Sequence, residues 1–218
     1  MFKSKKTIIR VGVLAAAALV AFGAPAAFAA SSYNVTAGSA PAGTIIRYTA
    51  TSPQVTFTDT TSGTVLNCAS ASATGTVTVG TISSGTPIGT VDGTIWNTCT
   101  GPGGISLAVT GSGTWGLNAT GNTVGGVTPG NVSAVSAHVS GGGCDFDVTG
   151  TVDGTYTNGS SNGTLTLPGT TSGLTISNAS FFCGTVGIGN GDLASFRATY
   201  QVVADNGAYN PIQIISSP

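Results

Sequence analysis

From Ile105 onward the chain alternates with period two. The odd positions Ile105, Leu107, Val109, Gly111, Gly113, Trp115 and Leu117 make an apolar face, and the even positions Ser106, Ala108, Thr110, Ser112, Thr114, Gly116 and Asn118 make the opposite, more polar one. Successive side chains of an extended chain point to opposite sides, so the pattern predicts a strand with one face on a core and the other in water. The alternation returns at Phe146, Val148, Gly150 and Val152, opposed by Asp145, Asp147, Thr149, Thr151 and Asp153, and again at Phe196, Ala198, Tyr200 and Val202. One-sided strands of this kind belong to antiparallel sheets. Gly111 and Gly113, paired inside the first run, predict a bend or bulge there.

Helical spacing is not seen after the first 30 residues, where Gly, Thr, Ser and Asn, all poor helix formers, interrupt the chain about every 8 to 12 residues. The pattern predicts an all-β protein of about ten strands. An antiparallel β-sandwich or β-barrel would bury the apolar face and limit exposed edges. A β-solenoid is the alternative, because the sequence repeats internally. Ile88, Val91, Gly93, Ile95 and Cys99 align with Val132, Val135, Ala137, Val139 and Cys144, and each cysteine is followed by a second strand, VTGSGTW from Val109 and VTGTVDGTY from Val148. Looser copies surround Cys68 and Cys183. In this register Trp115 lies in phase with the core, whereas Trp96 is out of phase with Ile95, more open, and a candidate ligand contact.

The four cysteines, Cys68, Cys99, Cys144 and Cys183, lie 31, 45 and 39 residues apart. Zinc sites favour close pairs and histidines, and the chain has His138 alone, so two disulfides are expected instead. Three connectivities are open in principle. If each repeat carries one cysteine and stacks on its sequence neighbour, the economical pairing is Cys68 with Cys99 and Cys144 with Cys183.

The first ten residues hold Lys3, Lys5, Lys6 and Arg10, followed by an apolar run from Val11 to Phe22 and then Gly23 and Pro25. Residues 1–30 read as a secretory signal peptide, with small residues at Ala27 and Ala29 before the cut. The apolar run is shorter than the roughly 20 residues a spanning helix needs. Residues 31–218 are expected to form a single all-β domain outside the cytoplasm. That segment keeps only Arg47 and Arg197 against seven aspartates, a net charge of −5, and contains neither Lys nor Glu. Two arginines cannot neutralise a phosphate backbone or dock on anionic lipid, so neither nucleic-acid binding nor, once the leader is cut, integral membrane association is expected.

Short motifs are common by chance in a chain this rich in Gly and Ser. Gly159-Ser160-Ser161-Asn162-Gly163 fits a hydrolase elbow in spelling only, since no helix follows, and it reads as a turn. Gly111 to Gly116 fits a dinucleotide-binding spacing but lies inside a strand. Leu167-Pro168-Gly169-Thr170 is read as a turn, not a wall-sorting signal. Asp145, Asp147 and Asp153 are candidates for calcium, which takes several hard oxygens, although aspartates on a solvated strand face need no ion. Asp92 and Asp153 are the candidate pair for a glycosidase, and His138 sits on the polar phase of its strand.

The leader, NCASASATGTV from Asn67, WNTCTGPGG from Trp96, VSAHVSGGGCDFDVTGTVDGTYTN from Val135 and LTISNASFFC from Leu174 resemble a group of uncharacterised secreted Gly/Thr-rich proteins of actinomycetes. The resemblance covers most of the chain after the leader and implies export without implying an activity. Pro41-Ala42-Gly43, leading into an alternating strand and the first cysteine, is faintly similar to secreted alkane-oxidation activator proteins. Together these features lead us to expect an exported, non-enzymatic structural or adhesive scaffold without a cofactor, whose partners are a cell surface or further copies of itself. A binder of small apolar ligands or glycans is the alternative, with a hydrolase third. A filled or a hollow interior separates the first two.

Overall fold

The computed structural model describes residues 30–170, 173–204 and 207–217. The expected signal peptide therefore lies outside the described residues except for Ala30. Eight antiparallel wall positions follow one another in chain order and close on themselves. They are β2 (Ile45–Ser52) with β3 (Val55–Asp59), β4 (Val65–Thr78), β6 (Gly89–Thr100), and β7 (Ser106–Gly111) with β8 (Trp115–Ala119). The circuit continues through β9 (Val127–Gly141), β10 (Cys144–Thr157), β11 (Gly163–Pro168) with β12 (Leu174–Ser177), and β13 (Leu193–Ala204). β13 closes the ring by pairing with β2 and β3, with Val202 opposite Ala50 and Phe196 opposite Phe57.

The barrel resolves the choice between sandwich and barrel, and it overturns the solenoid: neighbouring strands here run antiparallel, whereas a β-helix stacks its turns in parallel. The internal repeat instead marks successive hairpins of one meander. Among the described residues fourteen strands form where about ten were expected. Three wall positions are split into two strands each, and three further strands lie outside the wall. The breaks have local causes. Pro53, between β2 and β3, has no N–H to give to a ladder, and Gly113, between β7 and β8, adopts a φ of 71° that favours glycine.

The three remaining strands, β1 (Ser32–Ala37), β5 (Gly80–Ser83) and β14 (Ile212–Ser217), form a small sheet with β1 in the middle. This sheet closes one end of the barrel. Val35, Ala37, Ile212 and Ile214 are buried, and wall side chains grip the β14 backbone. Tyr156 donates its hydroxyl to the Ile212 carbonyl at 2.8 Å, while Asn158 both donates to the Ile214 carbonyl and accepts from its N–H, at 2.9 and 2.8 Å.

Two disulfides lie toward the other end. Cys68–Cys99 joins directly opposed residues of β4 and β6, and Cys144–Cys183 ties the start of β10 to the 3-10 turn Phe181–Val186, as the repeat had suggested. Asp59 is fully buried at this end, where its Oδ1 accepts the N–H groups of Thr61 and Ser62 at 2.9 and 3.0 Å and so shapes the β3–β4 turn. Most outward positions of β10 and β13 are Asp, Thr, Arg and Gln, with Leu193 and Val203 the apolar exceptions on β13, the reverse of a lipid-facing barrel wall. Among the described residues no helix is long and apolar enough to cross a membrane.

Candidate functional site

The barrel is hollow. Its inward side chains enclose a cavity of about 160 Å³ whose lining is almost wholly apolar, supplied by residues such as Val91, Leu117, Val135, Val152 and Phe196. Among the described residues no Asp, Arg or His side chain lines it. Three tyrosines reach it, Tyr48, Tyr156 and Tyr200, and burial pushes each phenol well above its ordinary range, so all three stay neutral. The void persists because much of the inner wall is built from short side chains: Ala50, Ala73, Ala137 and several valines occupy positions where Leu or Phe would fill the space.

One side of the wall is incomplete. β6 pairs with β7 only at Cys99 and Thr100, and with β8 only at Gly89, Thr90 and Val91. Residues 92–98 of β6 thus form no ladder with β7 or β8, a seam of roughly 20 Å at about 3.3 Å per residue along which β7 still lies close by, with Gly111 beside Thr94. Two indoles occupy the seam. Trp96 and Trp115 pack with ring centroids 6.2 Å apart at 37°, and Trp115 Nε1 donates to the Ser112 carbonyl at 3.0 Å. Gly111 makes room for them: a Cβ there would collide with Thr94 Oγ1 and lie 3.2 and 3.3 Å from the two indole rings. Trp96, Val109, Trp115 and Leu117 are only half-buried, whereas Val135, Val148 and Tyr200 on the closed side of the wall are buried.

Trp96 faces inward, which corrects its expected phase. Counting back by twos from Cys99 puts Ile95 inside, but Thr98 takes a left-handed φ of 49° and shifts the alternation by one residue. As a result Ile95 is 61% exposed and Trp96 lines the cavity beside Trp115.

The candidate calcium site is not assembled. Among the described residues no group of three or more His, Cys, Asp or Glu side chains is placed to hold a metal ion. Asp145, Asp147 and Asp153 share the outer face of β10, but at about 3.4 Å per residue the first and last are roughly 27 Å apart. Asp147 is also engaged, accepting from Asn178 Nδ2 and meeting His138 Nδ1, both at 2.7 Å. No hydrogen bond among the described residues joins the other nitrogen of His138 to a hydroxyl, so the pair lacks a nucleophile. Asp92 is drawn to Arg47 and Thr74 on the outer wall, each at 3.2 Å, and Asp153 lies exposed on β10, so the two do not face one cleft.

Sequence reasoning had placed Tyr200 on an inward phase without assigning it a role, and it had not singled out Thr94 or Tyr48. The fold and site define a closed eight-stranded antiparallel barrel with an apolar chamber and an unzipped seam. Compared with known proteins, the chain matches no family model, and no curated protein or solved structure is significantly similar to it.

Proposed function

We propose that this is an exported binding protein that holds one small, uncharged, largely apolar molecule inside its barrel, admitted sideways through the seam between β6 and the β7–β8 strand. The observation that carries this reading is the apolar chamber of about 160 Å³. An apolar cavity of about 150 Å³ stays dry and takes up benzene, so the chamber suits a compact ligand. An empty cavity also costs about 24 cal/mol per Å³, or about 4 kcal/mol here, against a typical net stability of about 5–15 kcal/mol. A resident ligand would recover much of that.

The disulfides support a workplace outside the reducing cytoplasm. The structural or adhesive scaffold draws on the outward Thr and Ser rows, but it gives no reason for a chamber.

The test is a thermal-shift and tryptophan-fluorescence screen against small aromatic and aliphatic compounds. At a hundredfold excess over Kd, a ligand selective for the folded state adds about 2.7 kcal/mol, which for a chain of this size raises Tm by roughly 5–10 °C. Emission from Trp96 and Trp115 should change in parallel. A panel spanning six to ten non-hydrogen atoms that moves neither signal would refute the binding reading and return weight to the scaffold.

A further inference from the structure

Two of the three tyrosines that reach the chamber have spent their hydroxyls. Tyr48 donates to the Thr90 carbonyl and Tyr156 to the Ile212 carbonyl, each at 2.8 Å. Tyr200 is only 7% exposed, yet its hydroxyl has no hydrogen-bond partner among the described residues. It is not sealed in either, because Asp59 Oδ2 is the only fully enclosed, unpartnered side-chain oxygen or nitrogen among them. Tyr200 is one of the side chains that line the void, and its hydroxyl keeps some accessible surface there as a donor not yet taken. Other polar groups of the lining are occupied or less buried. Asn118 donates to Asn131 and Ser133, Thr128 is paired with Thr123, and Thr94 and Thr155 are half-buried.

Buried polar groups in folded proteins are almost always hydrogen-bonded, and an exception calls for an explanation. A phenol kept neutral by burial is a standing donor, and no described side chain offers it an acceptor. The described residues of the lining carry no charge to balance a charged guest.

We propose that Tyr200 is the polar anchor of the chamber, and that the ligand is an uncharged hydrocarbon body of roughly six to ten non-hydrogen atoms carrying one acceptor oxygen, such as a ketone, aldehyde or ester carbonyl. This inference rests on the reading of the barrel as a binding protein. It adds that the site selects for a carbonyl over the matching hydrocarbon.

Acetophenone and α-methylstyrene test it, since they differ only in C=O against C=CH₂. Their Kd values are to be measured on the purified full-length protein and on Tyr200→Phe, together with the infrared C=O stretch of bound acetophenone. We expect Tyr200→Phe to weaken acetophenone roughly tenfold while leaving α-methylstyrene within about twofold. The stretch of acetophenone bound to the wild type should fall below its value in hexane, and that shift should vanish in the variant. The infrared measurement on the wild type decides the matter even if the variant folds poorly. A stretch at the hexane value, or an unchanged acetophenone Kd in the folded variant, overturns the anchor while the binding reading stands. Failure of both compounds to bind the wild type overturns both.

Discussion

At the scale of single residues, Asp147 carries a dependence on pH. Hydrogen bonds from Asn178 and then His138 hold its carboxyl below the ordinary range near 4. A folded-state value below the unfolded one means that this stabilisation is complete above the unfolded pKa and is withdrawn as pH falls through the folded one. Asp147 lies on the surface with its side chain 36% exposed, so solvent screening keeps the effect well under about 1 kcal/mol. Denaturant unfolding at pH 6 and pH 3 should show Asp147→Asn losing slightly less stability on acidification than the wild type, and an equal loss would show that the pair contributes nothing. The pairing itself was not legible from the sequence. His138 and Asp147 were each assigned to an outer face, but their opposition depends on the register of β9 against β10. Trp96 teaches the same lesson from inside the barrel, because one left-handed residue at Thr98 shifts the phase of Thr94 to Trp96 until a second irregularity, opposite Thr74 and Gly75, restores it at Val91.

Among the elements, the β6–β7–β8 side is where architecture and access meet. A complete ladder would have left the chamber reachable only through the ends, one of them closed by the β1–β5–β14 sheet. Gly111 and Thr94 face each other across the seam so closely that a Cβ on the glycine would meet the threonine hydroxyl. Thr94→Cys with Gly111→Cys should therefore form a reducible bridge across the seam. Oxidised, this variant is expected to bind and release its ligand at least tenfold more slowly in stopped-flow tryptophan fluorescence than the same variant under reductant. Exchange at wild-type speed in the oxidised form would move the access route to a barrel end. The glycine pair at Gly111 and Gly113 had announced a bend in the sequence. That the bend would interrupt the ladder on one side of β6 was not legible, because it requires knowing which strand lies alongside.

For the whole molecule, closure and the two disulfides work together. Each bridge closes a loop of 31 or 39 residues, and on the chain-entropy model each stabilises the fold by about 3–4 kcal/mol. A barrel that leaves its centre empty has less packing to hold it and depends more on such staples. Replacing Cys68 and Cys99 together by alanine should lower Tm by roughly 6–16 °C, at about 2–4 °C per kcal/mol for this chain length. Calorimetry under non-reducing conditions would check it, and an unchanged Tm would show that the bridge adds nothing to the closed wall.

The amino-acid sequence by itself determined the all-β class and the sidedness of most strands, and it ranked the cysteine pairing that the structure shows. These follow from the two-residue repeat of a pleated chain and from a repeat unit that puts each thiol beside its neighbour's, both short-range regularities. Only the tertiary structure decided that the meander closes at eight positions, where the alternation slips, and that the interior stays hollow. Those outcomes depend on how side-chain volumes from every strand sum inside one ring. The state of the Tyr200 hydroxyl was settled in the same way, since a partner for it would have had to come from elsewhere in the barrel, and no described residue supplies one.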